Sequence, residues 1–101
     1  MTMADESRLD QAVGRAARAE RLLADELLVE AFAALEDAYT AAWRSTTIDD
    51  ASSREKLFLA INVVGKVRDH LTAAVTNGKL AKAELKVLAQ TAERRRRFGI
   101  L

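Results

Sequence analysis

Cysteine and proline are absent from this chain, and glycine nearly so, with four among 101 residues. Without cysteine there is no disulfide framework, no thiolate metal site and no cysteine nucleophile. Without proline, and with half of the residues hydrophobic and rich in Ala and Leu, the composition favours long helices joined by short connections. No apolar run exceeds five residues, the longest being Ala31–Leu35 and Leu57–Ile61. That is far short of the ~20 needed to cross a bilayer. The opening MTMADESRLD lacks the basic start and apolar core of a secretory signal. The expectation is a protein of the cytoplasm, with no membrane partner.

Catalytic equipment is also scarce. His70 is the single histidine. Asp69 adjoins it, but neighbouring helical residues point about 100° apart. No serine sits in a strand-to-helix turn, and no glycine-rich phosphate loop is present. A metal site needs convergent ligands, and one histidine with scattered carboxylates does not supply them. These absences argue against an enzyme and against a cofactor or metal, and leave His70 as a rim residue.

What the chain does have is amphipathic periodicity. Residues 1–6 show none and are expected to be disordered. From Ser7 to Ala24 a modest helical pattern brings Leu9, Val13, Ala16, Ala17, Glu20 and Leu23 near one face, with Arg8, Arg15, Arg18 and Arg21 elsewhere. Asp25 then reads as an N-cap. Leu28, Phe32, Leu35, Tyr39 and Trp43 follow in one stripe at helical spacing. Tyr39 and Trp43 read as core, or alternatively as an aromatic anchor for another subunit.

Thr46–Ala51 breaks the pattern. Ser52-Ser53-Arg54-Glu55 fits a capping box, and a broad face of Leu57, Ala60, Ile61, Val64, Val67, Leu71, Ala74 and Val75 follows. Asn77-Gly78 supplies a stop. A last helix over Leu80–Arg97 carries Leu80, Leu85, Leu88, Ala89 and Ala92 as a narrow stripe, with Val87 beside it. The apolar tail Phe98-Gly99-Ile100-Leu101 closes the chain.

The sequence thus predicts one all-α domain. Its centre is a long antiparallel helical hairpin, about 25–45 and 53–77, with a shorter N-terminal helix and a basic C-terminal helix. Antiparallel pairing at a residue-number sum of roughly 99–100 sets Trp43 against Leu57 and Phe32 against Val67, and brings Glu30 near His70. Phe58, Leu59 and Val63 fall outside the hairpin face and call for a third helix or a second copy of the chain. Gly65, in mid-helix at a cost of ~1 kcal/mol, reads either as tolerated weakness or as a point of close helix approach. These four residues are the candidate oligomerisation surface.

Charge is unevenly spread. Residues 1–50 hold 5 Lys/Arg and 11 Asp/Glu, a net −6, while residues 51–101 hold 11 and 4, a net +7. Lys79, Lys82, Lys86 and Arg94, Arg95, Arg96 and Arg97 are the candidate DNA-binding set, since closely spaced cations on a helix neutralise successive phosphates. The competing reading is a solvated helix end that complements the helix dipole. No aromatic interleaving points to base stacking.

Two segments, DELLVEAFAALEDAYTAAW (25–43) and VGKVRDHLTAAVTNGKLA (64–81), resemble small all-helical proteins of phages, prophages and gene-transfer agents, among them small terminase subunits. The resemblance implies a non-enzymatic DNA-packaging factor of the host-cell cytoplasm that self-assembles into a homo-oligomeric ring. It implies double-stranded DNA and the large terminase subunit as partners, with Phe98, Ile100 and Leu101 as the docking end for that subunit. A separate helix-turn-helix domain is missing or reduced to Ser7–Ala24. The alternative is a helical adaptor or virion component that binds no nucleic acid.

Overall fold

The computed structural model describes residues 3–97, and these are all-helical, with no strand. Three helices follow one another: α1 (Met3–Ala24), α2 (Glu26–Arg44) and α3 (Ala51–Arg97). Two expectations are corrected here. Met3–Glu6 belong to α1 instead of being disordered, with Asp5 and Glu6 favourably placed in its first turn. The separate helices expected over 53–77 and 80–97 are one helix of 47 residues.

The stop read at Asn77-Gly78 fails for a packing reason. Gly78 is buried in α3, and a Cβ placed there would collide with the Cβ of Ala16 and lie 3.1 Å from the Ala12 carbonyl oxygen of α1. The glycine therefore admits a neighbouring backbone and does not end the helix. By contrast, a Cβ on Gly65 would meet nothing within 4 Å. The close approach weighed for Gly65 occurs at Gly78 instead.

The helices contribute to two units. The first draws on the chain up to Glu20 and from Ala73 onward. Its core is small: Leu9, Ala16 and Ala19 of α1 with Gly78 and Ala81 of α3. Four of those five residues are Ala or Gly, which lets the two backbones come close. Val75, Leu85 and Leu88 are half-buried beside them. Leu80 and Val87 point outward, 66% and 58% exposed, so Ala81 takes the inward place expected of Leu80. Ala17 and Glu20, expected on the inner face of the first helix, are exposed.

The second unit is Arg21–Thr72. Asp25 takes an extended backbone and caps α2, its Oδ1 accepting from the Leu28 N–H at 3.0 Å. At the other end Thr46 Oγ1 donates to the Trp43 carbonyl at 2.6 Å. The start of α3 is capped by Asp50 and not by Ser52. Its carboxylate accepts from the Ser53 N–H at 3.4 Å, and its carbonyl from the Arg54 N–H at 3.1 Å.

Two arginines of α3 make the directional contacts with α2 and the turn after it. The Arg54 guanidinium lies over the Trp43 ring, 4.8 Å from its centroid, and donates to Thr46 Oγ1 at 2.8 Å. Arg68 pairs with Glu36 at 2.8 Å and lies over Phe32, 5.3 Å from the centroid. The earlier arginine touches the later part of α2, and the later arginine the earlier part. Half-buried positions in this part of α3 include Arg54, Ile61 and Arg68 at intervals of seven, alternating with Leu57, Val64 and Leu71. That is the spacing of a two-helix seam. Among the described residues the ion pair across it is Arg68–Glu36.

The three helical glycines should respond with opposite signs to the same change. Gly14 and Gly65 have open space for a methyl, so Gly→Ala at either is expected to stabilise by about 0.5–1 kcal/mol, a few degrees in Tm. Gly78→Ala forces α1 and α3 apart and is expected to cost about 1–3 kcal/mol, outweighing its gain in helix propensity. Thermal unfolding followed by circular dichroism measures all three, and stabilisation by Gly78→Ala would refute the close approach.

A second check concerns Arg68. Its side chain is 38% exposed and that of Glu36 32%, so solvent screening limits the ion pair to about 0.5 kcal/mol. The stack on Phe32 adds about 0.5–1 kcal/mol. Arg68→Ala should therefore cost about 1 kcal/mol, and Arg68→Lys, which keeps the charge without the planar face, should recover less than half. Urea unfolding monitored through Trp43, the single tryptophan, reads both.

Candidate interaction surfaces

In the second unit every α2 residue keeps measurable exposure, and none is buried. A single seam explains this. Each helix offers one stripe to its partner, and the remaining circumference faces outward. Leu28, Phe32, Tyr39 and Trp43 are half-buried on the stripe, while Leu35, at 43% exposure, sits at its edge. Trp43 is neither fully buried nor free, because the Arg54 guanidinium covers one face of its ring.

The candidate oligomerisation residues divide. Phe58, Leu59 and Val63 are 56%, 55% and 58% exposed, whereas Gly65 is half-buried. Helical spacing separates them further. Leu59 and Val63, four apart, share one edge of α3, while Phe58 and Gly65, seven apart, share the opposite edge. Only the first edge continues as an apolar surface. Val63, Val67 and Leu71, with the stems of Lys66 and His70, line a shallow groove there whose walls are almost wholly apolar. Val67 itself is 48% exposed. Sequence reasoning placed Val67 inside the hairpin face and so missed it as surface. The seven-residue repeat through Arg54, Ile61 and Arg68 was the signal that would have moved it outward.

The candidate DNA-binding residues in the described range are all exposed. Lys79, Lys82 and Lys86 succeed one another at steps of three and four along one side of α3. Lys79 and Lys82 rim a groove floored by Val13, Ala16, Val75 and Gly78, with Glu20 on its α1 side. Toward the end of α3, Gln90, Glu93, Arg94 and Arg97 line a second, open groove. Glu93 pairs with Arg97 at 3.6 Å, an exposed contact within one helix. Arg95 and Arg96 point elsewhere around the helix. Phe98, Ile100 and Leu101 lie outside the described residues.

Among the described residues no group of three or more His, Cys, Asp or Glu side chains converges as a metal site, and no helix is long and apolar enough to cross a membrane. His70 is exposed at the edge of the apolar groove. Comparison with known proteins finds no significant match to a family model, a curated protein or a solved structure.

Proposed function

We propose that this protein is a non-enzymatic, phage-type DNA-packaging factor resembling a small terminase subunit. It self-associates through a helical hairpin and contacts double-stranded DNA, the large terminase subunit, or both. The observation that carries the reading is the exposed apolar surface on an all-helical chain. Leu59, Val63 and Val67 stand outside the only seam their unit has. A contiguous apolar surface of this kind marks an interface. The hairpin itself, α2 antiparallel to the first part of α3, is supported by the reversed order of the contacts made by Arg54 and Arg68.

The DNA reading is supported by the succession Lys79, Lys82, Lys86 on one side of α3 and by the four arginines that end it. Such cations bind phosphates without regard to sequence. Glu93, interleaved before Arg97, tempers the field at that end. The adaptor reading without nucleic acid shares the hairpin and differs only here.

The expected outcome is retention of duplex DNA at low salt, with affinity falling steeply as salt rises, since each released counterion contributes to the slope. Replacing Arg94, Arg95, Arg96 and Arg97 together by Ala should abolish it, and replacing Lys79, Lys82 and Lys86 should lower the slope by about three. Fluorescence anisotropy with a labelled duplex across a salt series measures both. Equal binding by the arginine variant and the parent would favour the adaptor.

A further inference from the structure

We infer that a second copy of the chain docks on one face of the α2–α3 pair. The face is made by Leu27, Ala31, Leu35 and Ala38 of α2 and by Val63 and Val67 of α3, with α2 of each copy lying over α3 of the other. The inference rests on the self-association reading above and specifies its geometry.

The face follows from the seam. With α2 and α3 in opposite directions, residues just before the seam positions on both helices emerge on the same side of the pair. On α2 these are Leu27, 74% exposed, with Ala31, Leu35 and Ala38, all exposed. On α3 they are Val63 and Val67, with Leu59 at the outer edge and the apolar groove running from Val63 to Leu71. The other side of the pair is more polar: Gly65, Thr72 and Asn62 of α3 and Thr40 and Asp37 of α2 accompany Phe58 and Val29 there.

Charge selects the second copy as occupant. A two-fold axis parallel to the helices sets α2 of each copy over α3 of the other. That axis opposes unlike charges. Apart from Glu36, Arg54 and Arg68, which are engaged within the copy, α2 keeps Glu26, Glu30 and Asp37 against Arg44, whereas residues 51–72 keep Lys56 and Lys66 against Glu55 and Asp69. Glu30, on the outer edge of α2, then lies beside Lys66 and His70 of the other copy. The alternative two-fold axis, across the helices, would set α2 on α2 and bring like charges together, which is unfavourable.

Light scattering coupled to size-exclusion chromatography tests the face, with circular dichroism confirming helix content. The parent chain should run as a dimer or a multiple of one. Val63→Glu should reduce it to the mass of a monomer, and Phe58→Glu, on the opposite side, should leave the mass unchanged. A parent that is monomeric at all concentrations overturns self-association altogether. An assembled parent whose mass is unmoved by Val63→Glu but lost with Phe58→Glu overturns the proposed face and leaves self-association standing. Glu30→Lys and Lys66→Glu provide a second route that spares the apolar residues. Each alone should weaken assembly at least tenfold at low salt, and the two in one chain should restore it. Absence of restoration overturns the stacking of α2 on α3.

Discussion

Two arginine side chains hold α2 in register with the first part of α3, and much else in that unit follows from them. Apolar contacts along a two-helix seam are nearly indifferent to a slip of one turn, because leucine, valine and isoleucine pack acceptably in several registers. A guanidinium is less tolerant. Arg54 must find both the Trp43 ring and the Thr46 hydroxyl, and Arg68 both the Phe32 ring and the Glu36 carboxylate. Each contact is modest alone. The two sets are two heptads apart on one helix, so a slip loses both together. Cation and aromatic here do what a buried polar residue does in a coiled coil: they contribute specificity more than stability.

A structure organised around single seams has a cost in burial. Among the described residues no side chain is completely buried, and the core of the first unit is Leu9 with Ala16, Ala19, Gly78 and Ala81. Small residues gain closeness of backbones at the expense of apolar area, and area is the main source of stability. A chain of this size is already marginal on surface-to-volume grounds. The apolar residues outside the seams, Leu27 and Leu35 of α2 and Leu59, Val63 and Val67 of α3 among them, are therefore the largest reserve of burial still available.

The helical class, the Asp25 cap and the stripe through Leu28, Phe32, Tyr39 and Trp43 were legible from periodicity, because long amphipathic repeats leave little room for another reading. Asn77-Gly78 is ambiguous in the sequence because the same residue pair ends helices and admits close neighbours. Only Ala16 across the interface decides between the two, and it is about sixty residues away in sequence. The cap of α3 was displaced to Asp50 because Asp50, Ser52 and Ser53 are all acceptable caps, and local sequence does not rank them. Arg68 stands at a seam position that apolar periodicity alone does not mark. Long cationic side chains bury their stems and rings cover their heads, so an arginine at a seam position is consistent with its chemistry.

Continuity of α3 through Gly78 also bears on the basic residues. Had the helix stopped there, Lys79 would begin a new element and its angle to Lys86 would be set by a loop. In one unbroken helix, Lys79, Lys82 and Lys86 keep a fixed spacing of about 1.5 Å rise per residue, with Lys79 and Lys82 at the rim of the groove beside α1. Fixed spacing matters little for binding a single anion and much for a regular polyanion, where each cation must meet a phosphate without rearranging its neighbours. The four terminal arginines do not share this geometry, since consecutive positions spread around the helix and Arg97 already meets Glu93. If DNA is the partner, the lysines set how the helix lies along the backbone, and the arginines add attraction from several directions at its end.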